Sequence, residues 1–476
     1  MDRYDYLLNL RNASTALLSG DTTAVELCAL SIERIRRHAS SNVFISVDET
    51  NALKQAAQYD ASSPEQKQAL PLGGIPIAVK DNIHVAGLPN TAGTPALHAF
   101  TPTDDASCVA ALREAGAIII GKTHLHELAL GVSGYNSAFN TGELIGTRNA
   151  RNISHIAGGS SSGSAVAVAG MMVPLALGTD TAGSIRLPAA LNGCVGYRPS
   201  IGRYSTEGIT PVSPTRDTLG PLASNVVDVV QIDALLRPHP STPASFKGPL
   251  RLGVVNEFWS SCSSEILAAC QAALVRIEKA GIQLVDVSLK QVSKLAPQCG
   301  SAIVLHEQLT ALTQYLRAYD LNLSYADIQE KIASPDIRKL VNRLIAPQLI
   351  PNAAGELSDS APLYQEAIQQ WCPAMLNDYQ TVSAQHELHG FIFPTVTHLA
   401  PLATQESSNA AHFSQLAANV NPGSCVGLAG ISLPVAVGSH NLAIGMEIDV
   451  LPGKDELLFI IASKVEQALG FSKGFD

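Results

Sequence analysis

Paired cysteines, aromatic residues and charged residues are all scarce in this chain of 476 residues. Its eight cysteines are scattered and form no Cys-x-x-Cys pair, so a structural zinc site and a disulfide framework are both poor interpretations. Aromatic residues make up 5% of the chain and charged residues 15%, against 46% hydrophobic residues and 36 glycines. This composition excludes a disordered chain and favours a tightly packed α/β protein.

Long apolar segments are also missing. No window reaches the ~18 uninterrupted apolar residues that a membrane span needs, and the N-terminal "MDRYDYLLNLRN" lacks the apolar core of a signal peptide. These absences predict a cytoplasmic protein without a membrane partner. The formal net charge of −10 disfavours binding to nucleic acid, so we expect a small-molecule partner.

Strand and helix patterns alternate along the first half of the chain. "GIPIAVKD" (74–81) predicts a strand in which Lys80 is the odd charge, and "AIIIGKT" (117–123) predicts a buried strand. Between them, Asp105 to Gly116 predicts a helix with an acidic cap. The alternation indicates βαβ units and a mainly parallel or mixed sheet. After about residue 240 the pattern becomes mainly helical, and His239 to Pro249 is the best linker candidate.

Two formal motif matches do not withstand their structural context. "GAIIIGKT" (116–123) fits the phosphate-binding loop G-x-x-x-x-G-K-[ST], but its four central apolar residues favour a buried strand over exposed amides. "GSSSG" (159–163) fits the G-x-S-x-G nucleophile elbow with Ser161 at its centre. An elbow must follow a hydrophobic strand, whereas "TRNARNISHIAG" before it is typical of a loop. An α/β-hydrolase-type esterase therefore stays only as an alternative.

A lysine and two serine-containing segments carry the predicted chemistry. Lys80 lies on an apolar strand, where desolvation disfavours the ammonium form and leaves a neutral amine able to accept a proton. A serine-rich loop, Gly158 to Ser162, opens a small-residue helix. In "GTDTAGS" (178–184), Ser184 follows a turn of small residues whose backbone amides are suited to an oxyanion hole. We interpret Asp180 and Arg186 beside that turn as a structural ion pair.

The segments Gly158 to Arg203 and "GIPIAVKDNI" resemble the amidase signature family. By this resemblance Ser184 is the nucleophile, Ser160 the bridging serine and Lys80 the base of a Ser-Ser-Lys triad. The resemblance also implies a cis peptide after Gly159 and an oxyanion hole formed by the amides of Thr181, Ala182, Gly183 and Ser184. Ser162 and Ala182 depart from the family pattern, in which glycine is usual at both positions; the Ala182 methyl group narrows the site.

The family implies one large α/β domain over residues 1–476, with a mixed sheet of about eleven strands flanked by helices on both faces. We expect residues 240–390 to form a variable, mainly helical region that shapes the substrate pocket. The implied activity is hydrolysis of a carboxylic amide by water through an acyl-enzyme, without metal or organic cofactor. A homodimer is common among relatives.

Three further segments are most similar to indoleacetamide and mandelamide hydrolases, and favour a small hydrophobic or aryl-containing amide: Gly87 to Leu97, Gly202 to Ala223 and Asn419 to Gly438. Two alternatives remain open at this level. The family includes the glutaminase subunit of a tRNA-dependent amidotransferase. A catalytically silent protein that binds a partner would use the same fold.

Overall fold

The computed structural model describes residues 3–238, 248–351 and 355–470. Its strands are Phe44–Val47 (β1), Pro76–Lys80 (β2), Ile118–Thr123 (β3), Leu175–Asp180 (β4), Val195–Arg198 (β5), Thr218–Ala223 (β6), Arg251–Val255 (β7), Gln283–Val287 (β8), Leu349–Pro351 (β9), Leu357–Asp359 (β10), Gly390–Pro394 (β11), Ala429–Val437 (β12) and Ala443–Val450 (β13). The linker predicted at His239 to Pro249 lies largely outside the described residues.

The α-helices surround these strands in chain order. They are Leu10–Ser19 (α1), Ala24–Arg37 (α2), Glu49–Asp60 (α3), Pro64–Gln68 (α4), Ser107–Glu114 (α5), Ser162–Ala169 (α6), Arg186–Asn192 (α7), Val226–Leu236 (α8), Asn256–Ser260 (α9), Ser264–Lys279 (α10), Lys290–Ala318 (α11), Tyr325–Lys331 (α12), Pro335–Leu340 (α13), Ser360–Glu366 (α14), Cys372–Gln385 (α15), Ala410–Ala417 (α16), Asn421–Cys425 (α17) and Asp455–Leu469 (α18).

Eleven strands form one mixed sheet in the order β1-β3-β2-β4-β6-β5-β12-β13-β11-β7-β8. β2 pairs in parallel with β3 and β4, whereas β4 pairs antiparallel with β6. This arrangement confirms the predicted α/β class with a large mixed sheet. Strands β7 and β8, which follow residue 240, complete one edge of that sheet, so this part of the chain contributes to the sheet as well as to the helical region.

Both faces of the sheet are covered, and β2 shows how. Ile77 and Val79 belong to one buried apolar cluster, while Ala78 belongs to a second cluster together with Ala165 and Val166 of α6. Successive side chains of a strand point to opposite faces, so Lys80 shares the face of Ala78 and points towards the α6 side. The register of the sheet therefore directs the only charge of this strand to the start of α6.

Two local predictions had different outcomes. The phosphate-loop match at 116–123 is a wholly buried strand, as its apolar residues indicate. The acidic cap predicted for α5 is wrong, because the N-cap is Ala106 and makes no side-chain hydrogen bond. Asp105 instead accepts a hydrogen bond from the Ala86 amide at 2.8 Å and pairs with Arg113 at 2.9 Å.

Candidate active site

Lys80 ends β2 with a fully buried ammonium group and three oxygen partners. Its Nζ lies 2.8 Å from Ser160 Oγ, 2.7 Å from Thr179 Oγ1 and 3.5 Å from the Thr179 carbonyl oxygen. A neutral amine has two N–H bonds and one lone pair. Because Thr179 offers two acceptors for those N–H bonds, the lone pair is left facing the Ser160 hydroxyl.

The surroundings of Lys80 favour the neutral form. Burial lowers the pKa of Lys80 to about 7, although the negative charges of Asp180 and Asp217 oppose this shift. Removing an ammonium group from water is costly unless a close counter-charge compensates, and no carboxylate contacts Nζ among the described residues. The lysine can therefore accept and release a proton near neutral pH.

The serine-rich loop brings three hydroxyl groups to the same end of the sheet. The peptide bond between Gly159 and Ser160 is cis, as the family resemblance implies. Ser161 fastens the loop to β4: its hydroxyl donates to the Thr179 carbonyl at 3.0 Å and accepts from the Thr179 amide at 3.2 Å. The Ser162 hydroxyl donates to the His124 carbonyl at 3.3 Å. Only Ser160 directs its hydroxyl to Lys80.

Ser184 lies next to this loop, and the Ser161 amide donates to its carbonyl oxygen at 3.0 Å. Its side chain is buried, like those of Ser160 and Lys80. Within the described part of the chain, no hydrogen bond joins the Ser184 hydroxyl to Ser160. Hydrogen bonds of a catalytic site are often long before substrate binds, so the two hydroxyls remain candidates for a relay.

The turn before Ser184 offers backbone N–H groups with and without partners. The Gly183 amide donates to Asp180 Oδ1 at 2.7 Å, so this donor is already engaged. The amides of Thr181, Ala182 and Ser184 have no protein acceptor among the described residues. Gly183 has φ +111°, and a Cβ there would lie 2.1 Å from a methyl carbon of Val420, so only glycine fits.

A buried ion cluster supports the turn from behind. Arg186 pairs with Asp180 at 3.1 Å, which confirms the predicted structural pair. Arg198 also contacts Asp180, at 3.0 Å, and Arg186 contacts Glu447 on β13. Asp180 in turn accepts hydrogen bonds from the amides of Gly183 and Ile185. This carboxylate therefore sets the path of the backbone through the turn.

Sequence reasoning missed Thr179, Asn82 and Asp217. The Asn82 amide donates to Thr179 Oγ1 at 3.2 Å, and the Thr181 hydroxyl donates to Asp217 Oδ1 at 2.5 Å. Thr179 lies within the "GTD" motif, but its contact with Lys80 depends on the register of β2 beside β4, which one sequence does not reveal. His155, the rival base, lies elsewhere: its Nδ1 is 2.7 Å from the Ala400 carbonyl oxygen.

Two negative findings limit what the site could hold. Among the described residues, no group of three or more His, Cys, Asp or Glu side chains is placed to bind a metal ion. No helix in the described ranges has the length and apolar character required to cross a membrane.

A buried lysine bonded to a serine, at one end of a mixed α/β sheet, is the arrangement expected of a serine hydrolase that uses lysine as its base. The chain belongs to the amidase family, whose model matches residues 26–459. It is 41% identical to a mandelamide hydrolase of Pseudomonas putida, over 97% of this chain and 92% of the relative. It is 34% identical to an indoleacetamide hydrolase of Agrobacterium vitis, over 95% of both chains.

Solved structures agree with this assignment. A peptide amidase crystallised with the competitive inhibitor chymostatin superposes with a TM-score of 0.83, at 26% identity over 97% of this chain and 98% of that one. Another amidase superposes with a TM-score of 0.81, at 29% identity over 97% and 100%. The protein is an enzyme that hydrolyses amides.

Proposed function

We propose that Ser184, Ser160 and Lys80 form the catalytic triad of this amidase. The observation that carries the proposal is the 2.8 Å contact between Lys80 Nζ and Ser160 Oγ at a lysine whose pKa burial lowers to about 7. Ser184 attacks the carbonyl carbon of the amide. Its proton passes to Ser160, whose own proton passes to the neutral amine of Lys80.

The negative charge that develops on the carbonyl oxygen needs donors fixed in advance. We assign this role to the amides of Thr181, Ala182 and Ser184, because the Gly183 amide donates to Asp180. Gly183 contributes its backbone conformation instead, and Asp217 holds Thr181 through the hydroxyl of that side chain. Preorganised donors of this kind typically account for a ~10²–10³-fold effect on turnover each.

The same relay then runs in reverse. Protonated Lys80 returns a proton through Ser160 to the leaving nitrogen, and the C–N bond of the tetrahedral intermediate breaks. Water attacks the resulting acyl-enzyme with Lys80 and Ser160 again accepting its proton, which releases the acid and restores Ser184. This cycle uses no metal and no organic cofactor.

For the substrate, we propose a small hydrophobic or aryl-containing amide. The support comes from the relatives named above, which are described as mandelamide and indoleacetamide hydrolases. The Ala182 methyl group adds to this support, because it lies in the turn that contacts the reacting carbonyl and favours a compact acyl group. We further propose that the enzyme is cytoplasmic and acts as a homodimer.

A release assay with purified protein tests this proposal. Ammonia or amine release is compared across arylacetamides, aliphatic amides, glutamine and anilides. We expect arylacetamides to be hydrolysed fastest. Hydrolysis of glutamine above every arylacetamide would favour the alternative of a glutaminase subunit, which co-purification of partner subunits would test further.

The triad has its own test, independent of the substrate. A fluorophosphonate probe labels an activated serine, so it should label the wild-type enzyme and leave Ser184→Ala unlabelled. A wild-type protein that does not react would support the alternative of a silent partner-binding protein. Equal labelling of both proteins would place the nucleophile elsewhere.

A further inference from the structure

Three thiol groups meet outside the active site, in helices that lie far apart in sequence. This thiol cluster consists of Cys299 on α11, Cys372 at the start of α15 and Cys425 at the end of α17. The sulfur atoms of Cys299 and Cys372 are 3.4 Å apart. Cys299 and Cys425 are buried, whereas Cys372 is partly exposed to solvent. One member of a close pair is therefore accessible, and the proposed hydrolysis uses none of the three.

The third thiol is placed to take a proton from the pair. Cys299 donates a hydrogen bond to Cys425, which lowers the pKa of Cys425 to about 7 despite its burial, with help from the charges of Arg216 and Arg198. A thiol must lose its proton to act as a nucleophile. Cys425 can accept that proton from Cys299 without contact with solvent.

We propose that Cys299 and Cys372 form a reversible oxidation site that reacts with small-molecule disulfides and lowers amidase turnover. Cys372 loses its proton to solvent and attacks one sulfur of the reagent, breaking its S–S bond and expelling a thiolate that takes up a proton. Cys299 then transfers its proton to Cys425 and attacks the Cys372 sulfur. The second reagent thiolate leaves and is protonated. Two protein thiols are oxidised and the reagent is reduced to two thiols.

The bond would be felt at the oxyanion turn. A disulfide brings two sulfur atoms to ~2.05 Å, so Cys299 and Cys372 must approach by more than an ångström. The residue after Cys299 is Gly300, whose carbonyl oxygen accepts from Arg216 at 2.9 Å; Arg216 also donates to Asn421 at 2.6 Å. Asn421 follows Val420, whose side chain contacts Gly183. A shift of α11 towards α15 therefore disturbs the contact that supports the turn.

The experiment treats folded, reduced enzyme with oxidised glutathione and follows both chemistry and turnover. Peptide mapping without reduction should show a Cys299–Cys372 cross-link, with turnover reduced several-fold and restored by dithiothreitol. Cys372→Ser should keep the basal turnover and become insensitive to the reagent. Cys262→Ser is the matched control, since Cys262 is also partly exposed but lies outside the thiol cluster. It should behave like the wild type.

Four results would overturn the proposal. These are an absence of the cross-link in folded wild-type enzyme, a mixed disulfide that stays on Cys372, a cross-link that leaves turnover unchanged, and inactivation that persists in Cys372→Ser. Circular dichroism of each variant before oxidation establishes that the protein tested is folded. The cross-link is detected without substrate, so its outcome is separate from that of the proposed triad.

Discussion

At the scale of single residues, removing the nucleophile gives the simplest test of the triad. Ser184→Ala deletes the attacking oxygen without adding volume, so we expect turnover to be abolished while the melting temperature is kept. Ser160→Ala should lose most turnover and retain a residual part, because a water molecule can partly replace the relay hydroxyl. Steady-state kinetics and thermal melting measure both effects. Near-normal turnover of Ser184→Ala would refute the assignment.

Lys80 should set the pH dependence of the enzyme. A base acts only when neutral, and burial lowers the pKa of Lys80 to about 7, so kcat/KM should rise with pH through this range and then level off. Lys80→Ala should lower kcat/KM by several orders of magnitude and abolish the rise. His155→Ala is the control, because its ring contacts the Ala400 carbonyl oxygen instead of the serine loop. If His155→Ala abolished the rise and Lys80→Ala kept it, histidine would be the base.

Thr179 is the residue that orients the amine of Lys80. Thr179→Val removes the hydroxyl at nearly constant volume, and we expect kcat/KM to fall roughly tenfold, the equivalent of one hydrogen bond of about 1.4 kcal/mol. Since this oxygen accepts from the ammonium form, its loss should also move the acid limb to lower pH. Thr179→Ser keeps the hydroxyl and should restore both properties. A limb that moves to higher pH in Thr179→Val would contradict this role.

At the scale of elements, the connection between β4 and α7 depends on one buried carboxylate. Burial alone would raise the pKa of Asp180, but the charges of Arg186 and Arg198 hold it well below its usual range. Its contribution to stability is therefore present above the ordinary aspartate pKa of ~3.9 and is lost as the pH falls towards the folded-state pKa.

Asp180→Asn tests this contribution. The substitution leaves two buried arginines short of a counter-charge and removes an acceptor from the turn amides, so we expect a loss of roughly 3–5 kcal/mol at neutral pH and a clear fall in melting temperature. Asp105→Asn is the matched control, because the Asp105–Arg113 pair is partly exposed and should cost about 1 kcal/mol or less. Equal losses in the two variants would remove the argument for a buried ion cluster.

The sequence was informative where the signal was local. The strand at 74–81, the buried strand at 117–123 and the Asp180–Arg186 pair all follow from residues near one another in the chain, and all are present. The family motif located Lys80, Ser160 and Ser184. Contacts between distant segments were not predictable, because they depend on strand register and helix packing. Thr179 beside Lys80 and Glu447 beside Arg186 are of this kind.

At the scale of the whole molecule, the helical region reaches the catalytic layer through one docking contact. The Glu127 carboxylate accepts from the amides of Ala333 and Ser334 at 3.0 and 2.6 Å, and His126 pairs with Asp336 at 3.0 Å. The His126 amide in turn donates to the Ser160 carbonyl oxygen at 3.3 Å. The start of α13 is thus connected to the bridging serine through two neighbouring residues.

Glu127→Ala should therefore affect stability and catalysis together. Two buried N–H groups lose their acceptor, at about 1–3 kcal/mol each, so the melting temperature should fall. Because the backbone at His126 then loses its support, Ser160 is held less firmly and kcat should fall about tenfold, with a smaller change in KM. Glu127→Gln keeps an acceptor oxygen and should recover part of both losses, while Glu143→Ala, at an exposed position, should match the wild type. A lowered melting temperature with wild-type kcat would mean that the helical region stabilises the fold without positioning the relay.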